Sequence, residues 1–211
     1  MQQPIDENES KNNNNNNNNN NKKEEEKSKK PPAGKSKRIR LFPNKTQKAT
    51  LVKWMGAARW TFNQCLAAVE SKEEPAPRNK KALRAKFVNN DVFKEDKERK
   101  WVLETPYDVR DEGMNDLLKA YQTNFAKRKK QGPSHTFKIQ FRSKKSDSQS
   151  IVIHSKHWKS IGVFYPTFFG KDPIRASEPP TQQVAVRLST TKDAIGRVLL
   201  VFATATGCEK G

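Results

Sequence analysis

The spacing of apolar residues changes once along this chain, and that change constrains its fold more than any other feature of the sequence. Between residues 47 and 125, apolar side chains recur at steps of three and four residues, the period of an amphipathic helix. From residue 137 they alternate with polar side chains, which is typical of a strand with one buried face. Helices followed by strands predict an α+β fold.

A strand and a capped helix are predicted at the start of this pattern. Residues 38–42 alternate basic and apolar side chains, and Pro43 ends the alternation. Asn44 is the predicted N-cap of the helix, with Gln47 returning the hydrogen bond as in a capping box. The helix is the clearest element of the sequence, and its apolar stripe consists of Leu51, Met55, Ala58, Phe62, Leu66 and Val69.

Two more helices are predicted before the period changes. One is expected at residues 80–86, and another follows Pro106, with apolar residues at helical spacing up to residue 125. The second runs into four consecutive cations at residues 127–130, and Gly132 is expected to stop it. Cations at a helix C-terminus compensate the helix dipole, but four in a row also suit phosphate contact, which we favour.

Strands dominate the prediction after residue 136. Residues 137–141 and 150–153 are expected to pair as a β-hairpin with a basic tip. Because exposed sheet edges are a liability, we expect a small antiparallel sheet or barrel that includes the first strand. The remaining strand candidates are residues 161–165, 184–188 and 198–202.

The chain is therefore expected to have four parts. Residues 1–36 contain ten consecutive asparagines and a Lys/Glu block, and too few apolar residues to offset the entropy of folding, so they are predicted to be disordered. The other parts are a first barrel strand at residues 37–45, a helical insertion at 46–134 and the remaining strands at 135–206.

Positive charge is concentrated in the part of the chain that is expected to fold. The formal net charge is +19, and residues 1–36 contribute only +1 because seven lysines face six carboxylates. A basic folded region predicts salt-dependent binding of DNA or RNA. No apolar run is long enough to span a membrane, and two distant cysteines suit an intracellular protein. A basic cluster at residues 35–38 resembles part of a nuclear-import signal, which would place the protein in the nucleus of a eukaryotic host.

Residue patterns typical of catalysis are not found in the sequence. His154 and His157 are three residues apart, but a zinc site needs further ligands at matched spacing. Neither a nucleophile elbow nor a glycine-rich phosphate loop occurs. We therefore predict no catalytic residue, metal, cofactor or small-molecule substrate for this chain.

Twelve residues are the candidate nucleic-acid contacts. For Arg59 and Asn63 the alternative is that they brace the first helix against the strands, and for Lys144 and Lys145 it is a solvated turn. Four aromatic residues, Trp54, Phe62, Tyr121 and Phe125, are expected in the core rather than as platforms for bases. The candidates are Arg38, Arg40, Lys45, Arg59, Asn63, Lys127, Arg128, Lys138, Arg142, Lys144, Lys145 and Gln149.

Several segments together resemble one protein family. Residues 40–47, which read RLFPNKTQ, and residues 54–63, which read WMGAARWTFN, resemble the start of the TnpB (OrfB) proteins of insertion sequences and their eukaryotic and viral Fanzor relatives. Further similar segments follow in the same order as in the family: TPYDVR at 105–110, AYQTNF at 120–125, FK at 137–138, FRSKK at 141–145 and QSI at 149–151.

The resemblance implies a wedge-type β-barrel carrying a helical recognition lobe, which together bind a guide RNA and its target DNA. Family members are RNA-guided DNA endonucleases. Their RuvC-like domain begins after the last barrel strand with an Asp-x-Gly motif, holds catalytic Mg²⁺ on carboxylates, and contains a four-cysteine zinc module. Here residues 203–211 follow the last strand, with Glu209 as their one carboxylate.

We therefore expect a truncated protein that binds nucleic acid without a nuclease centre of its own, Mg²⁺ and Zn²⁺ belonging to the absent half. One alternative is a split endonuclease whose nuclease half is separately encoded. Another is a decayed transposase fragment without function.

Overall fold

Two long helices of 25 residues each form the framework of the first half of the structure. The computed structural model describes residues 35–146, 148–160, 163–178, 186–192 and 198–206. The helices of this part are α1 (Lys45–Val69), α2 (Lys80–Phe87), α3 (Asp91–Lys94), α4 (Tyr107–Gln131) and α5 (Pro166–Phe169), with 3₁₀ turns at Lys100–Glu104 and Ser155–His157.

The strands form one larger antiparallel sheet and one small one. The larger sheet has the order β2-β6-β7-β1-β5, and β3 pairs with β4. The first strand thus lies among the last ones, as predicted, with Ile39 opposite Phe202. The strands are β1 (Lys35–Phe42), β2 (Gln149–Ile153), β3 (Trp158–Ser160), β4 (Val163–Phe164), β5 (Arg175–Ala176), β6 (Val186–Lys192) and β7 (Val198–Thr206).

The α+β class is confirmed, whereas the described strands do not close into a barrel. In the part of the chain that the structure describes, β2 and β5 are the two edges of an open sheet. The prediction of a disordered tail falls mainly on residues 1–34, which lie outside the described residues. Among the described helices, none is both long and apolar enough to cross a membrane.

The predicted start of α1 is confirmed in detail. The Asn44 side chain accepts a hydrogen bond from the Gln47 amide at 2.8 Å, and the Gln47 side chain accepts one from the Asn44 amide at 3.0 Å. These two bonds satisfy backbone donors that have no partner within the helix. Gln47 also donates to the carbonyl of Asp172 at 3.2 Å, which ties the helix start to the segment before β5.

One buried cluster lies around Trp54, at the end of α1 near the strands. Its indole ring packs against Phe164, Tyr165 and Phe169, with centroid distances of 5.5 to 6.4 Å, and donates a hydrogen bond to the carbonyl of Glu104 at 3.3 Å. The Trp54 side chain is fully buried, and burial of such a side chain stabilises the fold by about 2–3 kcal/mol. The expectation that Trp54 belongs to the core is confirmed.

A second buried cluster joins the C-terminal half of α1 to α2 and α4. It includes Phe62, Leu66, Leu83, Met114 and Leu117, all nearly or fully buried. The helices approach most closely at a glycine of α4, where an added Cβ on Gly113 would lie 2.6 Å from the carbonyl oxygen of Ala58. A side chain at that position is therefore incompatible with the observed packing of α1 against α4.

The predicted β-hairpin at 137–141 and 150–153 is wrong. Residues 137–142 form no strand, and β2 pairs with β6 instead, with Ile151 opposite Leu188. The alternation has a different cause: the Phe137 ring packs against α4, and Ile139 is buried in the second cluster. The side chain of Asn63 then satisfies the backbone of Arg142, so this segment needs no neighbouring strand.

The other sequence predictions have mixed outcomes. The helices expected at 80–86 and after Pro106 are α2 and α4, and α4 ends at Gly132, whose φ is 85°. The strands expected at 184–188 and 198–202 overlap β6 and β7, while only residues 163–164 of the candidate 161–165 form a described strand. Phe62 and Tyr121 are buried as expected, but Phe125 is 41% exposed, which corrects its assignment to the core.

Candidate nucleic-acid interface

Residues 138–145, here called the basic loop, are attached to α1 at Arg142 by Asn63. The Asn63 side chain donates to the carbonyl of Arg142 at 3.0 Å and accepts from the amide of Arg142 at 2.8 Å. This pair of hydrogen bonds is the geometry that a neighbouring strand provides in a sheet. Asn63 therefore fixes the backbone path of the loop.

Arg59, one helical turn before Asn63, attaches the segment just after the loop. Its guanidinium donates to the side-chain oxygen of Gln149 at 2.6 Å. Gln149 in turn donates from its amide nitrogen to the carbonyl of Ser143 at 2.9 Å. Burial lowers the pKa of Arg59 below its ordinary value. Two side chains on one face of α1 thus hold both ends of the turn that contains Lys144 and Lys145.

Arg142 is bound to the helices rather than extended into solvent. Its guanidinium lies 3.9 Å from the centroid of the Phe62 ring and 3.2 Å from a carboxylate oxygen of Asp116. These two contacts hold the Arg142 side chain against α1 and α4. Its contact with nucleic acid stays a prediction.

The remaining cations of the basic loop point to solvent. Lys138, Lys144 and Lys145 are exposed, and none of them forms an ion pair with another described residue. Phe141, between them in sequence, is 56% exposed. The loop thus presents three cations and an aromatic ring on a backbone fixed by Asn63 and by the bonds of Gln149.

A second group of cations lies at the end of α4, close before the loop in sequence. Lys127, Arg128 and the two lysines that follow them are exposed in or beside the last turn of the helix. Their position favours them electrostatically because the C-terminal end of a helix is partly negative. Dipole compensation and phosphate contact are compatible, since the charged ends reach solvent.

The other candidates lie near the start of the described chain. Arg40 is exposed and lies over the Phe42 ring at 5.5 Å, and Lys45 is exposed at the first residue of α1. Arg38 is on β1 opposite Ala203, and its side chain lies outside the described atoms. In the described part, no hydrogen bond or ion pair links Arg40 or Lys45 to the basic loop.

One charged residue whose role the sequence did not reveal is Arg110 on α4. It is only 1% exposed, and its guanidinium donates to the carbonyls of Val88 (2.6 Å) and Thr105 (3.2 Å) and to the side chain of Asn90 (2.5 Å). Burial lowers its pKa to about 10. Arg110 therefore ties α4 to the segments around α3, and its place in the TPYDVR motif was the one sign of its importance.

The two histidines considered as metal ligands face carboxylates of α4. His157 and Lys156 both contact the carboxylate of Asp108, the lysine at 2.9 Å, and His154 lies 3.4 Å from Glu112. Burial disfavours the charged form of Asp108, but the hydrogen bonds from Lys156 and His157 outweigh it and lower its pKa. Within the described ranges, no three side chains of His, Cys, Asp or Glu are arranged to hold a metal ion.

Comparison with known proteins finds a family model and a relative to which this chain is similar. Residues 34–72 match a family model described as a helix-turn-helix domain, that of the OrfB proteins of IS605-type elements. The described part of the match contains β1 and α1, including Arg59 and Asn63, and the next helix begins beyond it at Lys80.

A relative from a virus covers more of the chain. A candidate transposase of Paramecium bursaria Chlorella virus 1 is 26% identical over an alignment of 158 residues that covers 69% of this chain. The chain covers 35% of the length of that relative. Both findings support the resemblance seen in the sequence: this chain is similar to the TnpB/OrfB-like transposases.

Proposed function

We propose that this chain is a DNA-binding part of a transposase-related protein, and that the basic loop supplies its central phosphate contacts. The observation that carries the proposal is the attachment of the loop. Asn63 holds the loop at Arg142, and Arg59 binds Gln149, whose side chain is bonded to the carbonyl of Ser143. Lys138, Lys144 and Lys145 remain exposed and without an ion pair among the described residues.

Such a loop is suited to binding because its backbone is ordered before a ligand arrives. Ordering a mobile loop on binding reduces affinity, and a loop already fixed by the protein avoids most of that cost. Lysines without a carboxylate partner can each neutralise a phosphate and release counterions. Phe141 adds an exposed ring, which is able to stack on an unpaired base.

The comparisons support the same assignment. The helix-turn-helix model matches the strand and helix that carry the two loop-holding residues, Arg59 and Asn63. The viral relative is named for transposition, an activity that requires contact with DNA. A net charge of +19 favours association with a polyanion.

We further propose that the bound nucleic acid includes a guide RNA with its DNA target, as the resemblance implies. A wedge-type barrel would form part of the surface that binds them. We also propose that these 211 residues bind nucleic acid without cutting it. Incubation of the protein with a supercoiled plasmid, a matching RNA and Mg²⁺ tests both statements. We expect the protein to bind the plasmid in an RNA-dependent manner and the plasmid to remain supercoiled. Nicking or linearisation of the plasmid would contradict the second statement.

DNA binding itself is tested by fluorescence anisotropy of the full chain with a short DNA duplex over a series of salt concentrations. Three lysine–phosphate contacts alone correspond to a slope of roughly −3 in a plot of log affinity against log salt, and additional contacts steepen it. Binding that weakens with such a slope is the expected result. The absence of binding at low salt, or an affinity independent of salt, would contradict the proposed function.

A further inference from the structure

A groove lies beside the second cluster, between the loop before α2 and α4. Its volume is about 470 Å³. No carboxylate lines it, while two exposed cations on its rim, Arg78 and Lys80, have no ion pair with a described residue. The lining residues are Arg78, Asn79, Lys80, Asn115, Leu118, Lys119, Tyr121, Gln122 and Phe125.

The groove contains an aromatic ring that is both exposed and fixed in orientation. Phe125 is 41% exposed. Its ring stacks on Tyr121, with centroids 6.2 Å apart and planes inclined at 20°, and meets the edge of Phe137 at 5.2 Å. An aromatic side chain held by two others keeps one conformation when a ligand arrives, so stacking on it costs little entropy.

A guanidinium lies against the same ring. The central carbon of Arg78 is 4.9 Å from the centroid of Phe125 and 5.4 Å from that of Tyr121. Planar guanidinium groups and aromatic rings are the two surfaces on which proteins stack unpaired bases. The amide of Gln122 is exposed beside them and offers both a donor and an acceptor to the edge of a base.

The charges around the ring match a polynucleotide backbone. Lys80 lies on one side of the groove, at the start of α2, and Lys119 lies on the other side, on α4. Lys119 also lies 3.3 Å from the carboxylate of Glu112; the lysine side chain is exposed and that of Glu112 is mostly buried, so a phosphate at this position would share Lys119 with Glu112. Cations on both sides of an aromatic platform are the arrangement by which proteins bind single strands.

We infer that this groove binds an unpaired nucleotide of single-stranded DNA, with the base stacked at Phe125 and Arg78 and the flanking phosphates at Lys80 and Lys119. The inference rests on the proposed function, because it assumes that DNA is the ligand of the chain. On this inference the groove binds a DNA strand that is not base-paired, whereas the basic loop contacts the backbone of both single-stranded and duplex DNA.

The test compares binding of a short thymidine oligonucleotide and of a duplex by the full chain and its variants. Phe125→Leu removes the ring and keeps an apolar side chain, and we expect it to weaken oligonucleotide binding by about tenfold or more, with duplex binding unchanged. Phe125→Tyr keeps the ring and is expected to bind like the original protein. Arg78→Ala is expected to weaken oligonucleotide binding more than its charge-matched control Lys81→Ala, which changes a nearby exposed lysine outside the groove.

The outcomes separate the inference from the proposed function. Unchanged oligonucleotide binding by Phe125→Leu, or an equal loss for Arg78→Ala and Lys81→Ala, would overturn the groove while duplex binding still supported the proposed function. An effect seen with a uridine RNA oligonucleotide and not with DNA would overturn the assignment to a DNA strand. Failure of the Phe125→Tyr variant to bind either the oligonucleotide or the duplex would also overturn the inferred groove site. If the original protein bound neither ligand, the proposed function and the groove would fail together.

Discussion

Asn63 on α1 makes two hydrogen bonds to the backbone of Arg142, 79 residues away in sequence, and so fixes the start of the turn that carries Lys144 and Lys145. The amide side chain is suited to this task because it has one donor and one acceptor in a plane, as a peptide group does. Neither a hydrophobic residue nor a carboxylate could make both bonds. The position of the proposed phosphate contacts therefore depends on Asn63, together with the bonds of Arg59 and Gln149.

Replacing Asn63 tests this dependence. Asn63→Ala leaves the amide and carbonyl of Arg142 without their partner, and we expect the free energy of unfolding to fall by about 1–3 kcal/mol. DNA affinity should fall as well, because the loop becomes mobile. Asn63→Asp keeps the acceptor and loses the donor, so intermediate stability is expected. Urea unfolding and anisotropy measure the two effects, and an alanine variant that binds DNA like the original protein would contradict the role of the loop geometry.

Gly113 tests the packing of α1 against α4. In most helices Gly→Ala raises stability by up to about 1 kcal/mol. At Gly113 the new Cβ would lie 2.6 Å from the carbonyl oxygen of Ala58, and the backbone of α1 would have to move. Overpacking of this kind costs about 1–3 kcal/mol, so we expect net destabilisation.

The matched control for that variant is Gly56→Ala on α1. The nearest neighbour of a Cβ at Gly56 is a guanidinium nitrogen of Arg59 at 3.8 Å, an ordinary contact. This substitution is expected to stabilise the protein, and thermal unfolding compares the two. Equal effects of the two alanines would show that the helices are not in the close contact described.

The ion pairs of Asp108 predict how stability depends on pH. Burial disfavours its charged form, but bonds from Lys156 and His157 lower its pKa below the ordinary value of 3.8. Around the pKa of Asp108, the unfolded chain therefore binds more protons than the folded one, and the stability of the fold rises with pH. The contribution of Asp108 to stability is lost as the pH falls through its lowered pKa. The carboxylate is also favoured by the N-terminal end of α4.

Asp108→Asn removes this contribution. At pH 5 we expect the variant to be less stable by about 1 kcal/mol, a value kept small by solvent screening. The difference should shrink as the pH is lowered below about 3.8, because the original carboxyl becomes protonated. Chemical unfolding between pH 2 and 5 measures it, and a difference that grew on acidification would contradict the assigned contacts.

Cys65 is expected to be chemically inert in the folded protein. It is fully buried on α1, and burial together with the charge of Asp111 raises the pKa of its thiol to about 12. At pH 8 only about one thiol in ten thousand would be ionised, and the thiolate is the reactive form. Alkylation followed by peptide mass spectrometry should therefore label Cys65 in denaturing urea and not in buffer. Rapid labelling under native conditions would show that α1 is not packed as described.

Local sequence signals predicted the start of the fold well. The capping pair Asn44 and Gln47 is three residues apart, and the apolar stripe of α1 has a single helical period, so both can be recognised without knowledge of distant residues. The position of β1 was predicted for the same reason. Its neighbours β7 and β5 lie far along the chain; the sequence indicated β7 only as a strand and did not indicate β5.

Non-local contacts explain what the sequence did not predict. Residues 137–141 alternate as a strand does, but α4 and Asn63 supply the partners, so no hairpin forms. Phe125 continues the apolar spacing of α4, yet little covers that part of the helix, and its ring is partly exposed. The sequence left open whether Arg59 and Asn63 brace the helix or contact nucleic acid. In the structure both side chains form hydrogen bonds with other residues of the protein. Their contact with nucleic acid stays a prediction.

The central claim is that DNA binds through the lysines of the basic loop. The most direct measurement is the salt dependence of duplex binding by a Lys138/Lys144/Lys145→Ala variant of the full chain. The control is Lys94/Lys97/Lys100→Ala, which removes equal charge from an exposed segment that also contains Glu95, Asp96 and Glu98. We expect the loop variant to bind more weakly, with a salt slope shallower by roughly 3, and the control to retain most of its slope. Equal losses in the two variants would contradict the account.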